Sequence, residues 1–270
     1  RQRQMCIRDR DGDGYLPEEN RQALLEIMEK GVQVVVASGR ALSTLPPAIR
    51  EMQGIRYAIT SNGAAVYELH TGKCLQQYKM TENSVRRIVD LTGKFPVTYE
   101  AFVDGEAYAP KAYVENPIQF GASVRAIPYI QGTRKPVEDI LEFIRAHESV
   151  LDGIDIITGD QELKTRLWQL LDAEAEDVYI TSSVAQLLEI SYRDAGKHTG
   201  AAFLLDHLGL DREELAAFGD GDNDAELLAF AGIGIAVENA SRKCKDAADY
   251  ITLSNEACGV AYGIRNILKL

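Results

Sequence analysis

Between Ala217 and Asp224 the chain reads Ala-Phe-Gly-Asp-Gly-Asp-Asn-Asp, so three carboxylates and an amide fall within five residues, beside two glycines. The apolar run Leu215-Ala216-Ala217-Phe218 leads in, and Ala225-Glu226-Leu227-Leu228-Ala229-Phe230 leaves with helical spacing. This pattern predicts a strand, a tight acidic turn and a helix start. Hard oxygen donors gathered at the C-terminal edge of a sheet suit Mg²⁺. Asp, Asn and Gly also favour turns on local grounds, so the cluster alone leaves a plain surface turn open.

Three other polar groups stand where strands should end: Ser38-Gly39-Arg40, Ser61-Asn62-Gly63 and Lys197. In an open α/β sheet the ligand crevice lies outside the carboxyl ends of the strands. A hydroxyl, an amide, an ammonium and an acid cluster placed there make a coherent set for phosphoryl transfer. Each has a local alternative. Ser38 could cap a helix, Asn62-Gly63 is an ordinary turn pair, a lone lysine is normally solvated, Asp222 reads better as a turn residue than as a ligand, and Arg40 could simply pair with a nearby acid.

The elements that must carry these groups alternate at both ends of the chain. Pro17-Glu18-Glu19 opens a helix with buried positions Ala23, Leu24, Ile27 and Met28, and Gly31 ends it. Val32 to Ala37 is a β-branched run of the kind found in buried parallel strands and delivers Ser38. Tyr57-Ala58-Ile59-Thr60 delivers Ser61-Asn62-Gly63, and a hairpin follows around Thr71-Gly72. From about Thr81 to Ile190 the texture is mixed, with helices marked by Val85-Ile88-Val89, by Val137-Ile140-Leu141-Ile144 and by Leu163-Leu167-Leu170-Leu171 between short strands. After Gly196-Lys197 the strand–helix alternation resumes through Ala201 to Leu208, the acidic turn, Gly232 to Val237 and Tyr250-Ile251-Thr252. Strands alternating with helices at both ends predict an α/β, doubly wound (Rossmann-like) parallel sheet interrupted by an inserted α+β domain.

With 270 residues, 46% of them hydrophobic, the chain can bury a sizeable core. A net charge of −12 argues against nucleic acid or an anionic membrane as partner. No apolar run approaches a membrane span, and no apolar leader region is visible. Cys6, Cys74, Cys244 and Cys258 are scattered without zinc-ligand spacing, which suits incidental thiols in a reducing cytoplasm.

Taken in order, Ala37-Ser38-Gly39-Arg40, Thr60-Ser61-Asn62-Gly63-Ala64, Gly196-Lys197, Phe218 to Asp224 and Gly232 to Ala240 resemble the haloacid dehalogenase-like hydrolases, specifically the Cof-type phosphatases with an inserted α/β cap. The resemblance runs from about residue 11 to the end. It implies a discontinuous hydrolase core at 11–82 and 189–270 and a cap at 83–188 that closes over the site and chooses the leaving group. It implies Mg²⁺ as cofactor, a small phosphorylated metabolite as substrate, and hydrolysis through an aspartyl-phosphate. Ser38 is implied as the phosphate-binding hydroxyl and Lys197 as the lysine that steadies phosphoryl group and nucleophile. Gly39, Asn62 and Gly63 are implied on the substrate side; Asp220, Asn223 and Asp224 are implied at the metal, with Asp224 as the supporting acid.

The family's nucleophile is the first Asp of an Asp-x-Asp-Gly-Thr motif that ends an apolar central strand. Here Asp9-Arg10-Asp11-Gly12-Asp13 has Asp13 in place of Thr, and the first ten residues of the chain carry four arginines. That stretch predicts a poor strand, so residues 1–10 are expected to be foreign or corrupted and the first core strand missing. The spacing from Asp9 to Ser38 is also short for the family. Counting back at the usual spacing lands on Gln4-Met5-Cys6-Ile7-Arg8, without a carboxylate. A non-catalytic phosphate-ligand-binding relative on the same scaffold, or a chain inactive as written because the nucleophile motif is lost, is the competing expectation. A dinucleotide-binding oxidoreductase is disfavoured, because Gly232-Ile233-Gly234 leads into strand-like residues and not a helix.

Overall fold

The structure, a computed structural model, describes residues 4–7 as backbone and residues 16–270 in full. Its strands are β1 (Gln4–Ile7), β2 (Gln33–Ala37), β3 (Tyr57–Thr60), β4 (Ala65–Glu68) and β5 (Lys73–Gln77). Then come β6 (Thr98–Val103), β7 (Glu106–Pro110), β8 (Arg134–Val137), β9 (Leu151–Ile157), β10 (Val178–Thr181) and β11 (Leu187–Tyr192). The last three are β12 (Leu215–Gly219), β13 (Ile233–Ala236) and β14 (Tyr250–Ile251). They form two sheets, ordered β14-β13-β12-β1-β2-β3-β4-β5 and β10-β11-β9-β6-β7-β8.

The first sheet is parallel from β14 through β3 and turns antiparallel at β4. Its strands are short and apolar because helices cover them: Val35, Ala37, Tyr57, Ile59, Leu215 and Ala217 are buried with Ala201, Leu204 and Leu205 of the helix Lys197–Leu208. One expectation is corrected here. Gln4–Ile7 is a strand in the middle of the sheet, in register with Leu215–Ala217 on one side and Gln33–Val36 on the other. The ladder on both sides is made by backbone groups, and Met5-Cys6-Ile7 is a sufficient apolar stretch between the flanking arginines.

The second sheet is antiparallel except for the parallel pair β7 and β8. Its core joins Ile88, Tyr99, Ala101, Ile144, Leu151, Ile154, Ile156, Leu167 and Leu188. The helix marked from Val137 starts only at Ile140; Val137 ends β8, an edge strand that tolerates Pro136 because only one side is paired. By compactness one unit comprises Arg1–Gly39, Leu45–Gln76 and Gly196–Leu270, and the other Arg40–Thr44 and Gln77–Ala195. The second unit therefore runs past residue 188, because β11 is one of its interior strands. Among the described residues no helix is long and apolar enough to cross a membrane.

Candidate active site

All eight residues singled out in the sequence belong to the first unit; seven follow the C-terminal ends of the parallel strands β2, β3 and β12, whereas Lys197, expected at a strand end, opens the helix Lys197–Leu208. Ser38 follows β2 and is buried; its N–H donates to the Ile59 carbonyl at 2.9 Å, and its own carbonyl accepts from the Asn62 N–H at 3.1 Å. Two neighbouring strand ends are thus tied together by backbone bonds. Gly39 follows at the same edge, half-buried.

After β3 the chain turns left-handed for three residues running, with φ of 48° at Ser61, 55° at Asn62 and 94° at Gly63. A non-glycine residue there costs about 1–2 kcal/mol, so this turn persists only where its surroundings over-determine it. Gly63 is required on two counts. Beyond its positive φ, a Cβ would lie 2.0 Å from the Gly196 carbonyl oxygen and 2.7 Å from the Gly196 nitrogen. The next residue, Lys197, begins the helix Lys197–Leu208. That close approach sets the helix start against the turn, and Gly200, whose Cβ would meet the Ile59 side chain at 2.7 Å, holds the first turn against β3.

Lys197 is only 2% exposed, against the ordinary expectation for a lone lysine. Its Nζ makes an ion pair with Asp224 Oδ1, and Asp224 is 1% exposed. The other oxygen of Asp224, Oδ2, accepts the N–H groups of Asp220 and Gly221, both at 3.0 Å. Asp224 therefore folds the acidic turn around its own carboxylate. Gly219, the last residue of β12, permits this, because a Cβ there would stand 2.5 Å from Asp224 Cβ. Asn223, also buried, donates from Nδ2 to Asn62 Oδ1 at 2.8 Å. The site is thus one connected set: Ser38 to Asn62, Asn62 to Asn223, Asp224 to Lys197 and to the backbone of Asp220.

Two contributors were not singled out in the sequence. Ser241 donates its N–H to the Asp220 carbonyl at 2.8 Å, and its hydroxyl accepts the Cys244 N–H. The Ser-x-x-Cys spacing of a helix cap was the available signal. Cys244 packs beside this turn, fully buried; burial first, then the charges of Asp224 and Asp220, push its thiol up to about 12. It stays protonated and acts as a small apolar filler. The stretch Asp9 to Asp13 lies outside the described residues.

Comparison with known proteins decides the family. The sequence model for haloacid dehalogenase-like hydrolases matches residues 10–264. The chain belongs to the haloacid dehalogenase-like hydrolases. It is 28% identical over 269 residues to phosphatase YwpJ of Bacillus subtilis, covering 93% of each chain. It is 26% identical over 251 residues to the 5-amino-6-(5-phospho-D-ribitylamino)uracil phosphatase YcsE of the same organism, covering 93% of this chain and 88% of that one. Among solved structures, a haloacid dehalogenase-like hydrolase from B. subtilis superposes with a TM-score of 0.85 at 25% identity, covering 98% of this chain and 99% of that one. A subclass IIB sugar phosphatase of the same superfamily superposes at 0.82 and 19% identity, covering 99% and 98%, and shares the fold. The chain is accordingly an enzyme, a hydrolase whose kinship is with phosphatases.

Proposed function

We propose that this hydrolase cleaves phosphomonoesters of small metabolites with the help of Mg²⁺. The observation that carries the reading is the buried Lys197–Asp224 pair at the C-terminal edge of the sheet, beside the Asp220 turn and in the same bonded set as Ser38. A buried ammonium is costly unless something anionic needs it there. A phosphoryl group beside it meets the Lys197 charge and the Ser38 hydroxyl as donor.

The donors of the turn are hard oxygens, chiefly Asp220. Hard oxygens suit Mg²⁺, which is usually held by one or two carboxylates together with waters and substrate phosphate. Asp220 would hold it directly, Asp224 would orient the turn, and the bound ion would neutralise phosphoryl charge. The reaction needs a carboxylate nucleophile and a general acid, and Asp9 and Asp11, which follow β1 in the sequence, are the carboxylates that would have to serve. One carboxylate attacks phosphorus, and the P–O ester bond breaks as a second carboxyl gives the departing alkoxide its proton. Water then cleaves the aspartyl-phosphate and releases inorganic phosphate.

The test is phosphate release from p-nitrophenyl phosphate. Turnover that requires added Mg²⁺, ceases with EDTA and drops at least about a hundredfold in Asp220→Ala supports the reading. Turnover indifferent to both would end it.

A further inference from the structure

A sheet edge is a row of unpaired backbone donors and acceptors, and folded proteins blunt it with charge, proline or cover. The other edges of this chain follow that rule. β5 carries Lys73, Gln76 and Gln77, β8 carries Lys135 and Pro136, and the side chains of β10 are half-buried or buried. β14 does not. It ends the first sheet, paired with β13, yet Tyr250 is 51% exposed and Ile251 56%. Adjacent strand residues point to opposite faces, so both faces of this edge are apolar and open.

The surface continues beyond the strand. Among the described residues of the first unit, the exposed large apolar side chains are Tyr250, Ile251, Leu253 and Tyr262. Gly259 packs on Leu253, where a Cβ would lie 2.1 Å from the carbonyl oxygen, and Tyr262 follows in the same short helix. Residues three apart share a helix face, so Tyr262 extends the surface past Leu253. One scattered apolar side chain calls for no explanation, but a cluster on an unpaired edge marks a contact.

The charges beside the strand suit a second copy. Before β14, Asp246 is paired with Arg242, and Asp249 Oδ2 accepts the Gly234 N–H at 2.8 Å. Lys243 and Lys245 are left with no acidic partner among the described residues, and after the strand the exposed Glu256 has no basic one. An antiparallel pair sets the start of each strand against the end of the other. A two-fold axis at β14 therefore brings Lys243 and Lys245 of each copy toward Glu256 of the other. Parallel pairing would set lysine against lysine.

We propose that β14 is a self-association surface, through which two copies of the chain pair antiparallel and continue one sheet across both. Tyr250, Ile251, Leu253 and Tyr262 form its apolar centre, and the lysines and Glu256 its rim. So short a strand gives a contact of the weak, concentration-dependent class. The strands that lead to the candidate site, β2, β3 and β12, are interior, so the inference stands apart from the phosphatase reading.

Sedimentation equilibrium of the full chain, from low micromolar to near-millimolar concentration, tests this. The expected mass rises from one chain to two and stops there, because an isologous contact closes on itself. Ile251→Lys places like charges near the axis and should keep the chain monomeric across the range. Its circular dichroism spectrum should be unaltered, since the side chain is exposed. Charge exchange at the rim gives a second reading that leaves the apolar centre intact. Glu256→Lys alone, and Lys243→Glu with Lys245→Glu, should each weaken dimerisation about threefold or more, because every rim pair occurs twice. The variant with all three changes should regain the original dissociation constant. A chain that stays monomeric at every concentration overturns the proposal, and this edge then serves a partner other than its own copy. So does a mass that climbs past two chains, a dimer indifferent to Ile251→Lys, or rim losses that add in the combined variant instead of cancelling.

Discussion

Gly63 and Gly196 meet backbone to backbone: a Cβ on Gly63 would lie 2.0 Å from the Gly196 carbonyl oxygen and 2.3 Å from its carbon. The contact joins the turn that carries Asn62 to the start of the helix that carries Lys197, and no side chain mediates it. The Asn62 turn and the start of the Lys197 helix are therefore placed by a fit between two glycines.

Gly63→Ala tests that fit. The substitution meets both a left-handed φ of 94° and an immovable backbone neighbour, so we expect a loss of about 3 kcal/mol or more. Gly72→Ala is the internal control. Gly72 also has positive φ, at 69°, but nothing lies within 4 Å of its added Cβ, so only the conformational cost of about 1 kcal/mol applies. Urea unfolding of the two variants reads the difference directly. Equal losses would mean that the contact with Gly196 gives way easily.

Lys197 and Asp224 form a buried pair, and removing one partner strands the other charge. Lys197→Met should cost about 3–5 kcal/mol. Lys197→Met combined with Asp224→Asn removes both charges while an amide oxygen can still accept the Asp220 and Gly221 N–H groups. We expect the double variant to recover much of the stability and none of the phosphate release. Recovery of turnover would show that the lysine has a purely structural task.

How much of this was legible in the sequence differs from place to place. The strand ends at Ser38, Asn62 and Asp220 announced themselves, because short apolar runs followed by Ser, Asn, Gly and Asp combine a burial signal with turn chemistry. The burial of Lys197 was not legible, since it depends on Gly63 and Gly200 drawing the helix onto β3, a contact between distant segments. The central strand Gln4–Ile7 was misread because its arginine-rich flanks hide three usable residues, and its pairing comes from β2 and β12. In the second unit, β8 was missed because Arg134-Lys135-Pro136-Val137 is polar and carries a proline, features that an edge position allows.

The same unit holds a buried ion pair with no local signature in the chain. Arg134 forks onto Glu100, with Nε to Oε1 at 2.7 Å and an Nη to Oε2 at 2.9 Å, and its guanidinium stacks 4.6 Å from the Tyr129 ring centre. Arg134→Lys keeps the charge but loses the fork and the stacking plane, so we expect a loss of about 1–3 kcal/mol. Arg134→Met leaves Glu100 unpaired and should cost about 3–5 kcal/mol. Thermal or urea unfolding of the two variants checks both the sizes and their order; a neutral Arg134→Lys would deny the fork any importance.

Beside that pair, Glu100, Asp155 and Glu189 stand abreast on β6, β9 and β11, each opposite the next in the ladder and all buried. Arg134 is the cation facing them, and Tyr113 packs in the same unit within their electrostatic reach. Burial, then the charges of Glu189 and Glu100, raise the Asp155 carboxyl well above the ordinary value of 3.8, with Arg134 pulling the other way. The folded chain therefore keeps a proton that the unfolded chain has already released. Stability should fall as pH rises from about 3.8 toward the raised folded value, and then level off. Asp155→Asn has no such proton to lose, so its advantage over the unaltered chain should be small in acid and grow with pH across that window. Urea unfolding of both proteins at a series of pH values measures the difference. A gap that stays constant with pH would mean that the Asp155 carboxyl titrates in the folded protein as it does in the unfolded one, with Arg134 balancing burial and its two neighbours.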